Sequence, residues 1–181
     1  TTSVHVLSVR NECKELLFVV EREADGREPS VRCINFGLDG MQSFSFTLEE
    51  ERSAVLVPAG QVGTYLYEPN ASVLKAGAFK QIAVRTGVKK LQVNSHLYTA
   101  DHLVSDFPGR RFRVDEVLSF TGKLCKGLSK TIPQANITVR NFPLSVEELR
   151  KRTKITDGGH VYLFATTLVD GEKVLVKCSK A

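Results

Sequence analysis

The sequence predicts an α+β protein of two small domains. Short alternating apolar runs separated by turn residues fill the first hundred positions, which is the pattern of a sheet with one wet face. From Arg111 onward a β-α-β-α-β-β order is legible. Charge divides at about the same place: Phe107 to Ala181 carries 14 Lys/Arg against 7 Asp/Glu, and Thr1 to Asp106 carries 11 against 13. A chain of 181 residues suits one large domain or two small ones. The boundary is placed at Ser105-Asp106-Phe107-Pro108-Gly109, where Pro-Gly interrupts both helix and strand, giving domains 1–106 and 107–181.

The first domain opens with Val4 to Val9, β-branched and partly alternating, followed by Leu16 to Val20, which reads as a buried run. Ala24-Asp25-Gly26-Arg27 is turn chemistry, with Gly26 free to take a positive φ. Ser30 to Phe36 and Ser43 to Thr47 alternate, so a largely antiparallel sheet is expected. The consecutive charges Glu49 to Arg52 read as a solvated turn. Asn70 is a suitable N-cap for a helix with Val73, Leu74, Phe79, Ile82 and Ala83 on its apolar stripe. Gly77 would lie inside that helix and Gly87 would end it. Leu91 to Leu97 reads as the next strand.

In the second domain Arg111 to Val117 is a strand, and Thr121 to Lys130 is a helix with Leu124 and Leu128 facing inward. Ile132-Pro133 ends it, and Asn136 to Arg140 alternates as a strand. Ser145 and Glu148 form a capping box, with Leu144 and Leu149 as its hydrophobic staple, so a second helix runs to about Lys154. Val161 to Leu168 and Lys173 to Cys178 flank Asp170-Gly171, the signature of a β-hairpin turn.

Composition excludes several classes. The apolar fraction of 42% is that of a folded domain. No apolar run approaches the roughly 18 residues of a membrane span, and no signal segment opens the chain. Cys13, Cys33, Cys125 and Cys178 are scattered, with no C-x-x-C pair, which argues against a metal site and for a reducing, cytoplasmic compartment. The chain begins with Thr1 and its only methionine is Met41, so it reads as a piece of a longer protein.

The basic residues are the candidate site. Lys123, Lys126 and Lys130 share one helix face. Arg150, Lys151, Arg152 and Lys154 crowd the last turns of the second helix. Arg110, Arg111 and Arg113 stand at the start of the second domain, and Arg140 ends a strand. Long cationic side chains suit phosphate, because counterion release drives such binding. The alternative is a solvated basic face, with Arg150 to Lys154 complementing a helix C-terminus. Tyr65, Tyr67, Tyr98, Phe142 and Tyr162 could stack on bases or serve as core. His96, Asp101 and Glu68 could build a free-standing enzyme only if one concave pocket gathered them. No stretch carries G-x-G-x-x-G or a P-loop, so these residues show no cofactor motif.

The segment Val139 to Arg150, with Gly158-Gly159 and Tyr162 to Thr167, resembles the THUMP-like domain of bacterial class I S-adenosylmethionine-dependent methyltransferases. Tyr65 to Ala71, Leu74-Lys75-Ala76-Gly77 and Phe107-Pro108-Gly109-Arg110 resemble the ferredoxin-like domain that precedes it. Val4 to Val9 and Glu12 to Leu17 resemble the segment just after the methyltransferase fold, so residue 1 onward can include the tail of that domain. The resemblance implies a ferredoxin-like antiparallel sheet with helices followed by a β-α-β-α-β-β THUMP-like domain. It also implies a non-catalytic appendage that presents structured RNA, plausibly tRNA, to an upstream methyltransferase domain holding S-adenosylmethionine. A module that only docks on that domain is the rival. No catalytic residue carries over from the resemblance.

Overall fold

The computed structural model describes residues 2–22, 26 and 28–181. Gly26 has φ +72°; Ala24, Asp25 and Arg27, expected to form a turn with it, lie outside the described residues. The chain forms two compact units that interleave along the sequence. The first holds Thr1–Val57, Glu68–Val88 and Val104–Arg110; the second holds Pro58–Tyr67, Lys89–Leu103 and Arg111–Ala181.

In the first unit, β1 (Ser3–Val9), β2 (Glu12–Val19), β3 (Ser30–Gly37) and β4 (Gly40–Thr47) form a sheet in the order β2-β1-β3-β4. The β1–β2 and β3–β4 pairs are antiparallel hairpins, and β1 lies parallel to β3. Val6 and Ser8, Val31 and Cys33, and Phe44 and Phe46 are the buried, alternating side chains. The short helix α2 (Ala71–Ala76) packs on β1, β2 and β3. Asn70 caps it by accepting from the Val73 amide at 3.2 Å.

A polar network fastens this helix end within its unit. Ser8 Oγ donates to Asn35 Oδ1 at 2.7 Å, and Asn70 Nδ2 donates to Gln42 Oε1 at 3.0 Å. The Ala71 amide donates to Asn11 Oδ1 at 2.8 Å. These groups are satisfied by one another, so their burial carries little penalty.

Three expectations need correction here. Leu16 to Val20 is not a buried run: β2 is an edge strand, and Phe18 and Val20 are 65% and 71% exposed. Glu49 to Arg52 is not a turn but helix α1 (Leu48–Ser53), started by a capping box in which the Glu50 amide donates to Thr47 Oγ1 and the Thr47 amide donates to the Glu50 carboxylate. Gly77 is not inside a helix. With φ +76° it is the left-handed C-cap of α2, and a separate helix, α3 (Gln81–Thr86), runs to Gly87.

The second unit holds most of a seven-stranded sheet. Its strands are β5 (Tyr65–Pro69), β6 (Lys89–Lys90), β7 (Tyr98–Ala100), β8 (Gly109–Ser119), β9 (Asn136–Arg140), β10 (Tyr162–Thr167) and β11 (Lys173–Lys180). Their spatial order is β6-β7-β5-β8-β11-β10-β9. Helix α4 (Gly122–Thr131) links β8 to β9, and α5 (Val146–Thr153) links β9 to its parallel neighbour β10. The β-α-β-α-β-β order is therefore present. The hairpin turn between β10 and β11 closes with Leu168 N–H donating to Glu172 O at 2.8 Å.

Each face of this sheet has its own core. Leu66, Phe112, Phe164, Val174, Val176 and Cys178 pack with Leu91 and Leu97. On the other side Leu163, Ala165 and Leu175 pack with Leu128 of α4 and Leu149 of α5. Leu91 to Leu97 is thus not a strand: β6 ends at Lys90, before it begins. It is a looped segment whose two leucines are buried, with His96 in the left-handed region at φ +52°. The Pro108-Gly109 stretch is also not loose. Phe107 is 2% exposed, and Pro108 O accepts the Asn70 amide at 3.0 Å.

Candidate nucleic-acid interface

Helix α4 starts at Thr121, whose hydroxyl accepts the Leu124 amide at 3.1 Å. Its sequence contains three lysines and no acid. Cys125 and Leu128 are buried, and Lys123, Lys126 and Lys130 are exposed on the opposite side. Hydrophobic anchoring on one side leaves the lysines no choice but solvent, so the helix presents a one-sign cationic face. The expected inward Leu124 is half-buried beside the same core.

Helix α5 packs against α4. The capping box holds at its start: Ser145 Oγ accepts the Glu148 amide at 3.2 Å, and the Ser145 amide donates to Glu148 Oε2 at 2.8 Å. Lys151 and Arg152 are exposed, and Lys154 is the left-handed C-cap at φ +60°. Arg152 bears electrostatically on Cys125 of α4, but burial outweighs it and pushes that thiol up. The α4 lysines and the α5 basic end thus sit on neighbouring helices.

The remaining candidates are placed differently. Arg150 is turned into the structure. Its guanidinium donates to Ala135 O and Ile155 O, both at 3.3 Å, and pairs with Asp157. It therefore closes the turn after α5. Arg113 is exposed on β8 opposite Ser179, and Arg111 is half-buried. Arg140 is half-buried at the end of β9. Arg110 belongs to the first unit, where Nε donates to Glu68 Oε2 at 2.8 Å and Nη2 reaches the same oxygen. Glu68 is 2% exposed and Arg110 42%, so a buried carboxylate meets a half-exposed guanidinium.

Glycine is obligatory next to that pair. A Cβ at Gly109 would lie 2.1 Å from Glu68 O and 2.8 Å from Pro69 Cα. Sequence reading recognises Gly109 only as a breaker, because its close neighbours lie 40 positions earlier in the chain.

The groups of a free-standing enzyme have separate engagements. Glu68 is held by Arg110, and Asp101 Oδ1 accepts the Thr64 amide at 3.3 Å. His96 Nδ1 lies 3.1 Å from Lys90 Nζ. Burial first, then the Lys90 and Arg140 charges, push His96 down to about 4. Burial likewise pushes the Cys33 and Cys178 thiols up to about 12, far from a reactive thiolate. Tyr67 and Tyr98 are fully buried, with Tyr67 Oη donating to His102 O at 2.9 Å, so neither ring is open to a base. Phe142 stacks edge-on against Phe120, and Tyr162 packs against Phe112, each at 4.9 Å between ring centroids. Among the described residues no group of three or more His, Cys, Asp or Glu could hold a metal ion, and no helix is long and apolar enough to cross a membrane.

Comparison with known proteins agrees with this architecture. Residues 65–108 match a family described as a ferredoxin-like domain, and residues 109–180 match one described as THUMP domain-like. The chain is also similar to the crystal structure of a provisionally assigned methyltransferase from Porphyromonas gingivalis, with 43% identity and a TM-score of 0.91. That similarity covers 99% of this chain and 46% of the other, so the chain spans about half the length of the protein it matches. No curated protein matches it.

Proposed function

We propose that this chain is the RNA-positioning part of a longer methyltransferase, with the α4–α5 surface taking the phosphate backbone of a structured RNA such as tRNA. The observation that carries this reading is the acid-free face of α4. Three exposed lysines lie there opposite the buried Cys125 and Leu128, in the region that matches the THUMP-like family. Lys151, Arg152 and Lys154 extend the charge onto the neighbouring helix. Phosphate contacts of this kind give affinity and orientation, not base sequence. Shape recognition of a folded RNA fits them better than readout of a base.

In this reading the methyl donor, S-adenosylmethionine, is bound by a domain of the parent outside these residues, and the protein works in the cytoplasm. The chain's own residues hold the RNA so that its target base reaches that domain. Fluorescence anisotropy with a folded tRNA at low ionic strength tests the binding step. Lys126→Glu should weaken binding several-fold while leaving the fold intact, because Lys126 is solvent-exposed. Arg150→Glu is the wrong probe, since Arg150 bonds Ala135 and Ile155. Absence of any binding at low salt would refute the proposal.

A further inference from the structure

Among the described residues of the first unit, the four-stranded sheet has one face whose side chains stay exposed or half-exposed. Its buried side chains, Val6, Cys33 and Phe44 among them, point to the side where α2 packs. The alternate set points the other way. Register aligns Val9, Phe36 and Met41 in one row across β1, β3 and β4, and the neighbouring row holds Leu7 and Ile34. Phe36 and Met41 are 46% and 63% exposed, and Leu38 in the β3–β4 turn is 85% exposed. Leu17 and Val19 of the edge strand β2 lie on the same face and are also exposed.

The patch is bordered by Ser43 and by the polar row of His5, Arg32 and Ser45, and an exposed apolar patch rimmed by polar residues marks an interaction site. On the edge strand β2 the register places Glu12 beside Val9 and Glu15 beside Leu7, so charge borders the patch on that side, while the apolar Leu17 and Val19 lie farther along the strand. Leu16 to Val20 carry none of the charge or proline that ordinarily protects an edge.

We infer that this outer face is a docking surface for the rest of a longer parent chain, seated intramolecularly on the row formed by Val9, Phe36 and Met41. The inference rests on the parent proposed above being longer than these residues. The Porphyromonas gingivalis protein keeps this fold at 43% identity in a chain about twice as long, so a covering segment of adequate size is available to a protein of this design. A domain tethered in the same chain presents itself at millimolar effective concentration. It therefore takes the surface ahead of a second copy at ordinary protein concentrations.

Met41 is the chain's only methionine, which makes it a direct reporter. The experiment is peroxide oxidation of the native parent, followed by peptide mapping and normalised to the same protein in denaturant. Thioether oxidation follows exposure. A covered Met41 should oxidise about tenfold or more slowly than in the denatured protein. Phe36→Glu in the parent should bring the rate back to within about twofold of the denatured value, because a charge cannot be buried there without a partner. A Met41 that oxidises at nearly the denatured rate in the native parent would overturn the inference. So would a native polypeptide of only these 181 residues, or protection that disappears on dilution, the mark of a second copy. RNA affinity measured on the same samples is a separate readout. Its loss would sink the RNA reading and leave the docking result standing.

Discussion

Arg110 tests whether a basic residue of this chain is there for RNA or for the fold. The perturbation is Arg110→Ala, compared with Arg113→Ala. Arg110 pairs with Glu68 through two nitrogens on one carboxylate oxygen; the Arg110 side chain is 42% exposed and the Glu68 side chain 2%. Removing one partner of a fully buried pair costs about 3–5 kcal/mol. Here water can enter from the arginine side, which lowers the expected loss to about 2 kcal/mol. For a chain of this size that is a fall in Tm of roughly 4–8 °C. Arg113 is exposed, so its removal should change stability by less than about 0.5 kcal/mol. Urea unfolding of both variants, with Glu68→Gln and the Arg110→Ala/Glu68→Gln double variant, isolates the pair, and a coupling energy of about 1 kcal/mol or more is expected. If Arg110→Ala is as stable as Arg113→Ala while RNA affinity falls, the structural reading of this arginine is wrong.

Gly109→Ala should destabilise by about 2–3 kcal/mol in denaturant unfolding, because its Cβ would meet backbone atoms at 2.1 and 2.8 Å, and backbone cannot swing aside as a side chain can. Thr166→Val should be neutral or stabilise by about 1 kcal/mol. Thr166 Oγ1 is the one buried side-chain oxygen among the described residues with no hydrogen-bond partner, and a thermal melt reads the change. His96 titrates in the folded state near 4 instead of 6.5, so the unfolded chain takes up its proton first as pH falls. Stability from this residue is intact above pH 6.5, is lost progressively between about 6.5 and 4, and changes no further below that. His96→Asn, which tolerates the same left-handed backbone, should flatten the fall in urea midpoint across that window. An unchanged pH profile would show that other groups set it.

Local chemistry was the legible part of the fold. Ser145 and Glu148, Asn70, and the Asp170-Gly171 turn each act within a few residues, so the sequence window contains the whole cause. Thr47 and Glu50 carry the same capping signal, but it is masked by the charge run that follows. Tertiary placement was not legible. Leu16 to Val20 is a continuous apolar run, yet it lies on an exposed edge strand, whereas Leu91 to Leu97 is a polar-rich loop that buries its two leucines against a sheet face. Nothing within the first segment tells an edge strand from a central one, whereas Asn94-Ser95 in the second is turn chemistry. The site shows the same division. Helical spacing was enough to group Lys123, Lys126 and Lys130, whereas the partners of Arg110 and Arg150 depend on chain approaches no local window contains. Two residues chosen for charge alone thus have structural engagements, and the exposed α4 and α5 cations remain as the phosphate candidates.

The salt dependence of RNA binding addresses the central claim most directly. The affinity for a folded tRNA is measured from low to moderate potassium chloride for the native chain and for Lys123→Ala/Lys126→Ala/Lys130→Ala. Each lost phosphate contact should reduce the slope of log affinity against log salt by roughly 0.7–0.9. Loss of all three should therefore flatten it by roughly 2–3, with the thermal melt unchanged because all three lysines are exposed. An unchanged slope and affinity in the triple variant would contradict the assignment of the α4 face to RNA.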